Sequence, residues 1–300
     1  MRANMDLLQP HRWRDDFVGR VSTPPQRPLP WVLRTAVETL CGSHDPNDPE
    51  VEALCRAGQR ISRRADEDTG NVYHNRTHAG EAVWAALALW QCEQAVRLHQ
   101  GQVPWPVLSG LTLIVAMLAH DLDHPGLFVG ASQSEDLGRI ERHSADLAIA
   151  ILEDERVAPQ VIARIGQIIH ATEPVRGVPA AQEAWLAQPS LGTLLPVLAT
   201  EADLLASAWF STGPVRGQWL AQEWRAQVPE LAQVISSWSG RRHFLASTRW
   251  LSAGALAFGI DRSVAIEQRV LATHGDRWDG LAFDLARTEH LEAMRAAAAI

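Results

Sequence analysis

Two short segments concentrate the histidines and carboxylates that could do chemistry in this chain. The first, "YHNRTHA" at 73–79, places His74 and His78 four residues apart at the start of an apolar-rich stretch. The second, "MLAHDLDHPG" at 117–126, brings four ionisable side chains directly after an apolar run: His120, Asp121, Asp123 and His124. Burying such groups without partners would cost several kcal/mol each. Metal coordination would remove that cost, so the two segments predict a metal site.

The residue types restrict the metal. The three cysteines form no CxxC pair, which indicates neither a disulfide framework nor a thiolate zinc site. Ligands that offer only nitrogen and oxygen fit Zn, Fe, Mn or Mg, and a carboxylate such as Asp121 can bridge two cations. Adjacent helical residues point about 100° apart, so His120 and Asp121 share a cation only at a helix end. Pro125-Gly126 predicts that end.

The elements that must position these residues are helices. Apolar spacing from residue 31 onward is helical and strand alternation is almost absent, which predicts a compact all-α bundle with one domain over 31–300. Helices are predicted at 31–41, 49–65, 78–98, 106–120, 136–153, 158–170, 180–187, 191–209, 217–226, 229–237, 241–258, 262–273 and 284–298. The segment "VSTPPQRPLP" at 21–30 carries four prolines. Residues 1–30 are therefore predicted to form an extended or disordered arm.

Composition excludes several classes of function. The net charge of -8 and the lack of a dense basic run argue against a nucleic-acid or anionic-membrane surface. All 27 basic residues are arginine, which excludes Schiff-base chemistry on lysine. Apolar runs such as 111–118 fall short of the roughly 20 residues that cross a bilayer, and the N-terminus lacks the apolar core of a secretion signal. We expect a soluble, cytoplasmic protein without a membrane or nucleic-acid partner; a homodimer stays open.

The two segments resemble a known family. "YHNRTHA", followed 42 residues after His78 by "HDLDHPG", is similar to the paired signature of the class I cyclic-nucleotide phosphodiesterases, within the HD-domain phosphohydrolase superfamily. The resemblance covers about 70–210 and includes "RIERHSADLAIAIL" at 139–152 and "ATEADLL" at 199–205. It implies an HD-type helical bundle that hydrolyses a 3',5'-cyclic nucleotide, cAMP or cGMP, to the 5'-monophosphate. The attacking group would be a metal-bridging hydroxide.

The resemblance also implies roles for individual residues. The tighter metal, usually zinc, would have four ligands: His78, His120, Asp121 and Asp203. Asp121 would bridge to a second cation, usually Mg or Mn, whose water Glu141 would hold. His74 would be the proton donor. The residues that would orient these groups are Asn75, Asp123 and His124, and His143 is either a further supporting residue or a capping or core-edge residue.

Two assignments can also be argued from the residues themselves. Glu201 and Asp203 lie about 200° apart on one helix, so only one can face the metal, and the shorter Asp fits a crowded site better. Glu201 is then solvated or the partner of a neighbouring residue. His170 in "IGQIIHATEP" is a candidate extra ligand for the second metal, as a comparable histidine is in some HD-domain branches.

The sequence departs from the family in its base-recognition residues. The family's purine-clamping Gln, followed three residues later by a stacking Phe, is not evident: Gln268 lacks the aromatic residue. Phe244 or Trp250 could line a pocket, whereas Trp84, Trp90 and Trp209 are predicted to lie in the core. Three alternatives therefore stay open: an HD-type phosphohydrolase for another nucleotide or phosphate ester, an HD-type di-iron oxygenase, and a ligand-binding module without catalysis.

Overall fold

Helices make up the regular secondary structure of the part of the chain described by our computed structural model, residues 10–22, 27–42, 48–67, 70–124, 138–279, 281 and 283–298. These ranges contain 15 helices and no strand, which confirms the all-α prediction. The helices are α1 (Pro10–Ser22), α2 (Leu29–Cys41), α3 (Pro49–Glu67), α4 (Arg76–His99), α5 (Val107–Ala119), α6 (Arg139–Asp154), α7 (Pro159–Ala171), α8 (Gly177–Ala187), α9 (Leu191–Ala208), α10 (Gly213–Trp224), α11 (Pro229–Ile235), α12 (Trp238–Ser247), α13 (Ala253–Phe258), α14 (Ile260–Trp278) and α15 (Phe283–Ala298).

Two helices, α4 and α5, form the centre of the bundle. Every residue from 78 to 95 of α4 and from 110 to 119 of α5 is buried. Helix α4 packs against α1, α2, α5, α9 and α13, so no side of it is left for a polar stripe. Gly110 permits the close approach of α5 to α4, because a Cβ there would lie 2.7 Å from Nε1 of Trp90. The first turn of α4 carries His78, and α5 ends directly before His120.

The N-terminal residues 10–22 belong to the core. They form α1, in which Phe17 and Val21 are each 1% exposed. The Phe17 ring packs edge-on against Phe258 at 5.6 Å, and the Val21 carbonyl accepts a hydrogen bond from Arg216 at 3.2 Å. The predicted arm is therefore wrong for these residues, since the proline-rich segment reports only on the connection that follows α1. Residues 1–9 and 23–26 lie outside the described residues.

A buried carboxylate divides the predicted helix 241–258 into α12 and α13. Oε1 of Glu201 on α9 accepts hydrogen bonds from the backbone N–H groups of Leu251 and Ser252, at 2.5 and 3.0 Å. Because those N–H groups turn toward α9, they are not available for a continuous helix. Ser252 then caps α13, its hydroxyl accepting from the N–H of Ala255 at 2.9 Å.

One helix of the described chain, α9, is long and apolar enough to cross a membrane by length and composition. In this structure 61% of it is buried inside the protein, and the core helix of a soluble protein passes the same test. The helix also carries Glu201 and Asp203, both of which contact polar partners in the interior. Cytoplasmic location stays a prediction.

Candidate metal centre

Four side chains from three helices meet at one point of the core. His78 lies in the first turn of α4, His120 is the C-cap of α5 with Asp121 next to it, and Asp203 lies on α9. The Nε2 atom of His78 is 3.3 Å from Asp121 Oδ2 and 3.0 Å from Asp203 Oδ1. The Nε2 atom of His120 is 3.2 Å and 3.4 Å from the same two oxygens. The structure thus gathers the four ligands that the resemblance implies.

The spacing of these atoms fits a divalent cation. Ligands at the usual zinc distance of about 2.0–2.1 Å lie about 3.3–3.4 Å apart in a tetrahedron. The two Nε2 atoms are 3.3 Å apart. Asp121 Oδ2 is buried and makes no hydrogen bond to any described residue, although both Nε2 atoms are within 3.3 Å. A buried oxygen without a hydrogen bond is costly, and a cation would satisfy it. His78, His120 and Asp121 could therefore hold a metal ion, and Asp203 Oδ1 lies within 3.4 Å of both Nε2 atoms.

A backbone contact orients the His120 ring, and the two carboxylates favour positive charge at the cluster. Nδ1 of His120 lies 2.7 Å from the Met117 carbonyl oxygen, so Nδ1–H donates there and the Nε2 lone pair points into the cluster. Burial by itself lowers the pKa of His78, but the carboxylates of Asp121 and Asp203 beside it outweigh that effect and raise its pKa to about 9. The same carboxylates raise the pKa of His120 against the effect of burial. The two carboxylates thus attract positive charge to this point.

The start of α4 holds His78 in place through Asn75. Asn75 is the N-cap, and its side-chain oxygen accepts a hydrogen bond from the N–H of Thr77 at 2.7 Å. Its amide group donates to the carbonyl oxygens of Asn71 and Val72, at 3.1 and 2.8 Å. Asn75 therefore orients the ligand through the backbone of this turn rather than through a direct contact with the imidazole.

His74 stands beside the cluster with a partner that the sequence did not reveal. Its ring is 5.9 Å from that of His78, and its Nδ1 lies 2.6 Å from Oε1 of Glu223 on α10. Oε2 of Glu223 accepts from the backbone N–H groups of Tyr73 and His74, at 2.7 and 3.1 Å. Burial raises the pKa of Glu223, but these hydrogen bonds prevail and keep it below its ordinary value. With Nδ1 held by Glu223, Nε2 is the nitrogen that would transfer a proton.

His124 supports His74 by stacking. The two rings are parallel within 4°, with centroids 4.0 Å apart. Ligand atoms of His74, His124 and Glu223 lie within 4.8 Å of one another, so they form a second cluster by distance. Imidazole lone pairs lie in the ring plane, however, and parallel rings stacked face to face do not direct them at one cation. Burial lowers the pKa of His124 to about 4, so this stacked ring is neutral near pH 7.

Asp123 faces away from the ligands. Its carboxylate forms an ion pair with Arg64 of α3, whose Nε lies 3.1 Å from each carboxylate oxygen. The residue has a positive φ of 54°, which is uncommon for a residue other than glycine and belongs to the turn after α5. The predicted orienting role is thus replaced by a link between this turn and α3. Pro125-Gly126, the predicted helix end, lies outside the described residues, and α5 already ends at Ala119.

Three further predicted site residues have different outcomes. Glu141 lies in the first turn of α6, where burial, together with the charges of Asp121, Glu173 and Asp203, raises its pKa. It is therefore near the carboxylates of the cluster. His143 on α6 and His170 on α7 are both exposed. Exposure does not fit a support for a buried ligand, and no described contact joins either histidine to the four ligands.

The comparisons with known proteins come to one finding. A scan against protein-family models and a search of the curated proteins give no match to this chain. The assignment of residues to roles therefore depends on the geometry above and on the two sequence segments.

The tryptophans and the glutamine named from the sequence lie away from the ligands. Trp84, Trp90 and Trp209 are at most 7% exposed and belong to the core, as predicted. Gln268 donates its amide to the Leu245 carbonyl at 3.0 Å and so serves the contact between α14 and α12. Phe244 lines a cavity of about 300 Å³ that is described further below.

Proposed function

We propose that this protein is a metal-dependent phosphodiesterase that hydrolyses a 3',5'-cyclic nucleotide to the 5'-monophosphate. The observation that carries the proposal is the cluster of His78, His120, Asp121 and Asp203 with an acid, His74, beside it. The substrate class comes from the resemblance of the two segments, and the reaction type from the cluster. Zinc would occupy the four-ligand site, with Mg or Mn as a second cation near Asp121 and Glu141; iron stays open.

The protein's own groups would bind the cation from one side and leave the other side open to water and substrate. Divalent cations in such sites supply Lewis-acid polarisation of phosphoryl oxygens and lower the pKa of a bound water to about 7. His78 and His120 are at most 4% exposed, so the two imidazoles would lie on the buried side of the cation. The side chains of Asp121 and Asp203 are 17% and 21% exposed. A substrate would therefore approach from the carboxylate side.

His74 would deliver the proton to the leaving alkoxide. Glu223 fixes its Nδ1 and the backbone that precedes it, and the stacked ring of His124 restricts its rotation. General acid catalysis by a positioned group contributes about 10²–10⁴ in rate.

A second candidate is hydrolysis of a different phosphate ester. Gln268, the one glutamine considered for purine recognition, is bound to the backbone. The cavity beside the metal centre is mainly apolar. Both observations favour an ester whose organic group is not recognised through hydrogen bonds to the edge of a nucleobase.

The test is a hydrolysis assay with matched histidine variants. Protein loaded with Zn, Mn, Mg or Fe(II) is incubated with cAMP, cGMP, mononucleotides, dinucleotides, cyclic dinucleotides and bis(4-nitrophenyl) phosphate. We expect His74→Ala to lower kcat by about 10²–10⁴ while elemental analysis finds an unchanged metal content. His143→Ala, which removes an exposed histidine, is the control and should hydrolyse like wild type.

Three results would reject the proposal. The first is that no metal supports hydrolysis of any phosphodiester, and the second is that His74→Ala is as active as wild type. The third is iron in the isolated protein together with turnover that requires oxygen, which would identify the oxygenase alternative. Activity on a phosphate ester other than the cyclic nucleotides would replace the substrate and keep the reaction type.

A further inference from the structure

A cavity of about 300 Å³ lies next to the metal centre, between α9, α10, α11 and α12. Its interior is lined mainly by aliphatic and aromatic side chains and by glycines. At its rim, Leu231 and Val234 of α11 are 44% and 51% exposed. The apolar surface therefore extends from the interior of the cavity to its opening. Contact of these aliphatic side chains with water is costly, and a bound apolar group would reduce it.

Three cavity residues are direct neighbours of site residues. Tyr73 precedes His74, and its ring lies 4.6 Å from that of His78. Leu204 follows Asp203 on α9, and Leu220 lies one helical turn before Glu223 on α10. A ligand that fills the cavity would therefore adjoin both the metal ligands and the acid.

The buried polar groups of the cavity wall are already paired. The two lining guanidinium groups are neutralised: Arg216 pairs with Glu81, and Arg241 pairs with Glu267 at 2.8 Å. Arg241 also donates to the carbonyl oxygens of Ser207 and Ala208. No buried cation of the described wall is thus left to bind an anionic group.

The remaining polar side chains of the wall offer a ligand few further hydrogen-bonding groups. The Tyr73 hydroxyl is 2.9 Å from that of Ser207, with which it shares a hydrogen bond. Ser247 donates to the Phe244 carbonyl at 2.8 Å, and both Ser247 and His243 are exposed at the rim. A polar ring, such as a nucleobase, would find few hydrogen-bond partners for its edge in the interior of the cavity. Buried donors and acceptors without partners are costly.

We propose that this cavity binds an uncharged, apolar organic group of the phosphate ester, an alkyl chain or an aromatic ring, while the phosphate lies at the metal centre. The inference rests on the second candidate function, hydrolysis of a phosphate ester other than a cyclic nucleotide, and specifies the class of that ester. A cavity of about 150 Å³ accommodates benzene, so this one has room for about twice that volume. The ester would thus be recognised by the size of its apolar group rather than by a base edge.

The test measures binding of ethyl- to octylphosphonate, which cannot be hydrolysed, to the metal-loaded protein by calorimetry. Burial of each methylene should tighten Kd by about fourfold until the cavity is full. Leu231→Asp and Val234→Asp should reduce this gain per methylene. Val175→Asp and Leu186→Asp, each at an apolar residue that is 55% exposed and outside the cavity, are the matched controls and should retain it.

The outcomes separate the cavity from the metal centre. Removal of the metal by a chelator should weaken binding of all chain lengths by a common factor. Equal Kd values from ethyl to octyl would overturn the cavity assignment, even if short esters are hydrolysed. A gain with chain length together with Kd values that chelation leaves unchanged would place the bound alkylphosphonate apart from the metal centre and would also overturn it. Failure of the proposed function itself would appear in the hydrolysis assay.

Discussion

Asp203→Asn should separate metal binding from folding. Asp203 Oδ1 lies 3.0 Å from Nε2 of His78 and 3.4 Å from Nε2 of His120, so it completes the ligand set from the α9 side. Asparagine retains the shape of the side chain and removes its charge. The matched control is Asp146→Asn, because Asp146 is an exposed residue of α6.

The size of the effect follows from linkage between binding and folding. A cation at 100 times its Kd stabilises the folded state by about 2.7 kcal/mol. A stabilisation of 1 kcal/mol raises Tm by about 2–4 °C for a chain of about 150–250 residues, so wild type should gain roughly 5–10 °C. If loss of the charged ligand weakens Kd a hundredfold, the same cation concentration leaves only about 0.4 kcal/mol, or about 1 °C.

The assay compares thermal unfolding of the three proteins in chelator and in Zn, Mn, Mg or Fe(II). Wild type and Asp146→Asn should gain the full increase with at least one cation, and Asp203→Asn should gain almost none. Elemental analysis of the dialysed proteins should find metal in wild type and Asp146→Asn and almost none in Asp203→Asn. Two results would refute the reasoning: an equal gain in Asp203→Asn and wild type, or no gain in wild type with any of these metals.

Three further predictions concern the surroundings of the cluster. Glu223→Gln should lower kcat by up to about 10²-fold with unchanged metal content, because the acid loses its anionic partner; an unchanged kcat would contradict this role. Burial raises the pKa of Glu201 from 4.5 to about 7, so the folded state binds the extra proton, and the contribution of Glu201 to the free energy of unfolding should fall as pH rises from about 4.5 to 7. This contribution, at most about 3 kcal/mol, is the difference in pH dependence between wild type and Glu201→Gln in urea titrations, whereas Glu183→Gln should follow wild type. Gly254→Ala would place a Cβ against the Leu89 carbonyl and should cost about 1–3 kcal/mol; an unchanged urea midpoint would disprove the close contact.

The helical class could be predicted because it depends on local apolar spacing, whereas the set of four ligands followed from the resemblance of the two segments to a known family. Apolar spacing identified α4 and α5, and the angle between Glu201 and Asp203 correctly separated their directions. Asp203 faces the histidines, whereas Glu201 binds the N–H groups of Leu251 and Ser252. Of the two roles left open for Glu201, the structure shows the partner of a neighbouring segment.

The sequence did not predict the role of a side chain where that role depends on which helix face is buried or on a contact between distant residues. On α6, the apolar stripe used for prediction includes Ile140 and Leu147, yet both are only half-buried. The buried face is offset by one position and is formed by small residues such as Ser144, Ala145 and Ala148, so His143 points to solvent. Small side chains mark a closely packed face that hydrophobicity alone does not reveal.

Glu223 had no signal in the sequence. It is one carboxylate in the helix "GPVRGQWLAQEW" and lies 149 residues from His74, its hydrogen-bond partner. Neither helical spacing nor a short motif connects residues at that separation. Only the packing of α10 beside the start of α4, held by the pair of Arg216 and Glu81, brings them together.

The ends of two central helices explain why polar residues are tolerated in this core. The N-terminus of α4 carries partial positive charge and the C-terminus of α5 partial negative charge. Asp121 and Asp203 lie against His78 in the first turn of α4, and His120 donates to a carbonyl of the last turn of α5. Helix ends are the places where buried backbone groups lack partners within the helix. His78, His120 and Asp121 lie at those ends, so the two most deeply buried helices fix the positions of three of the four candidate ligands, and Asp203 of α9 adds the fourth.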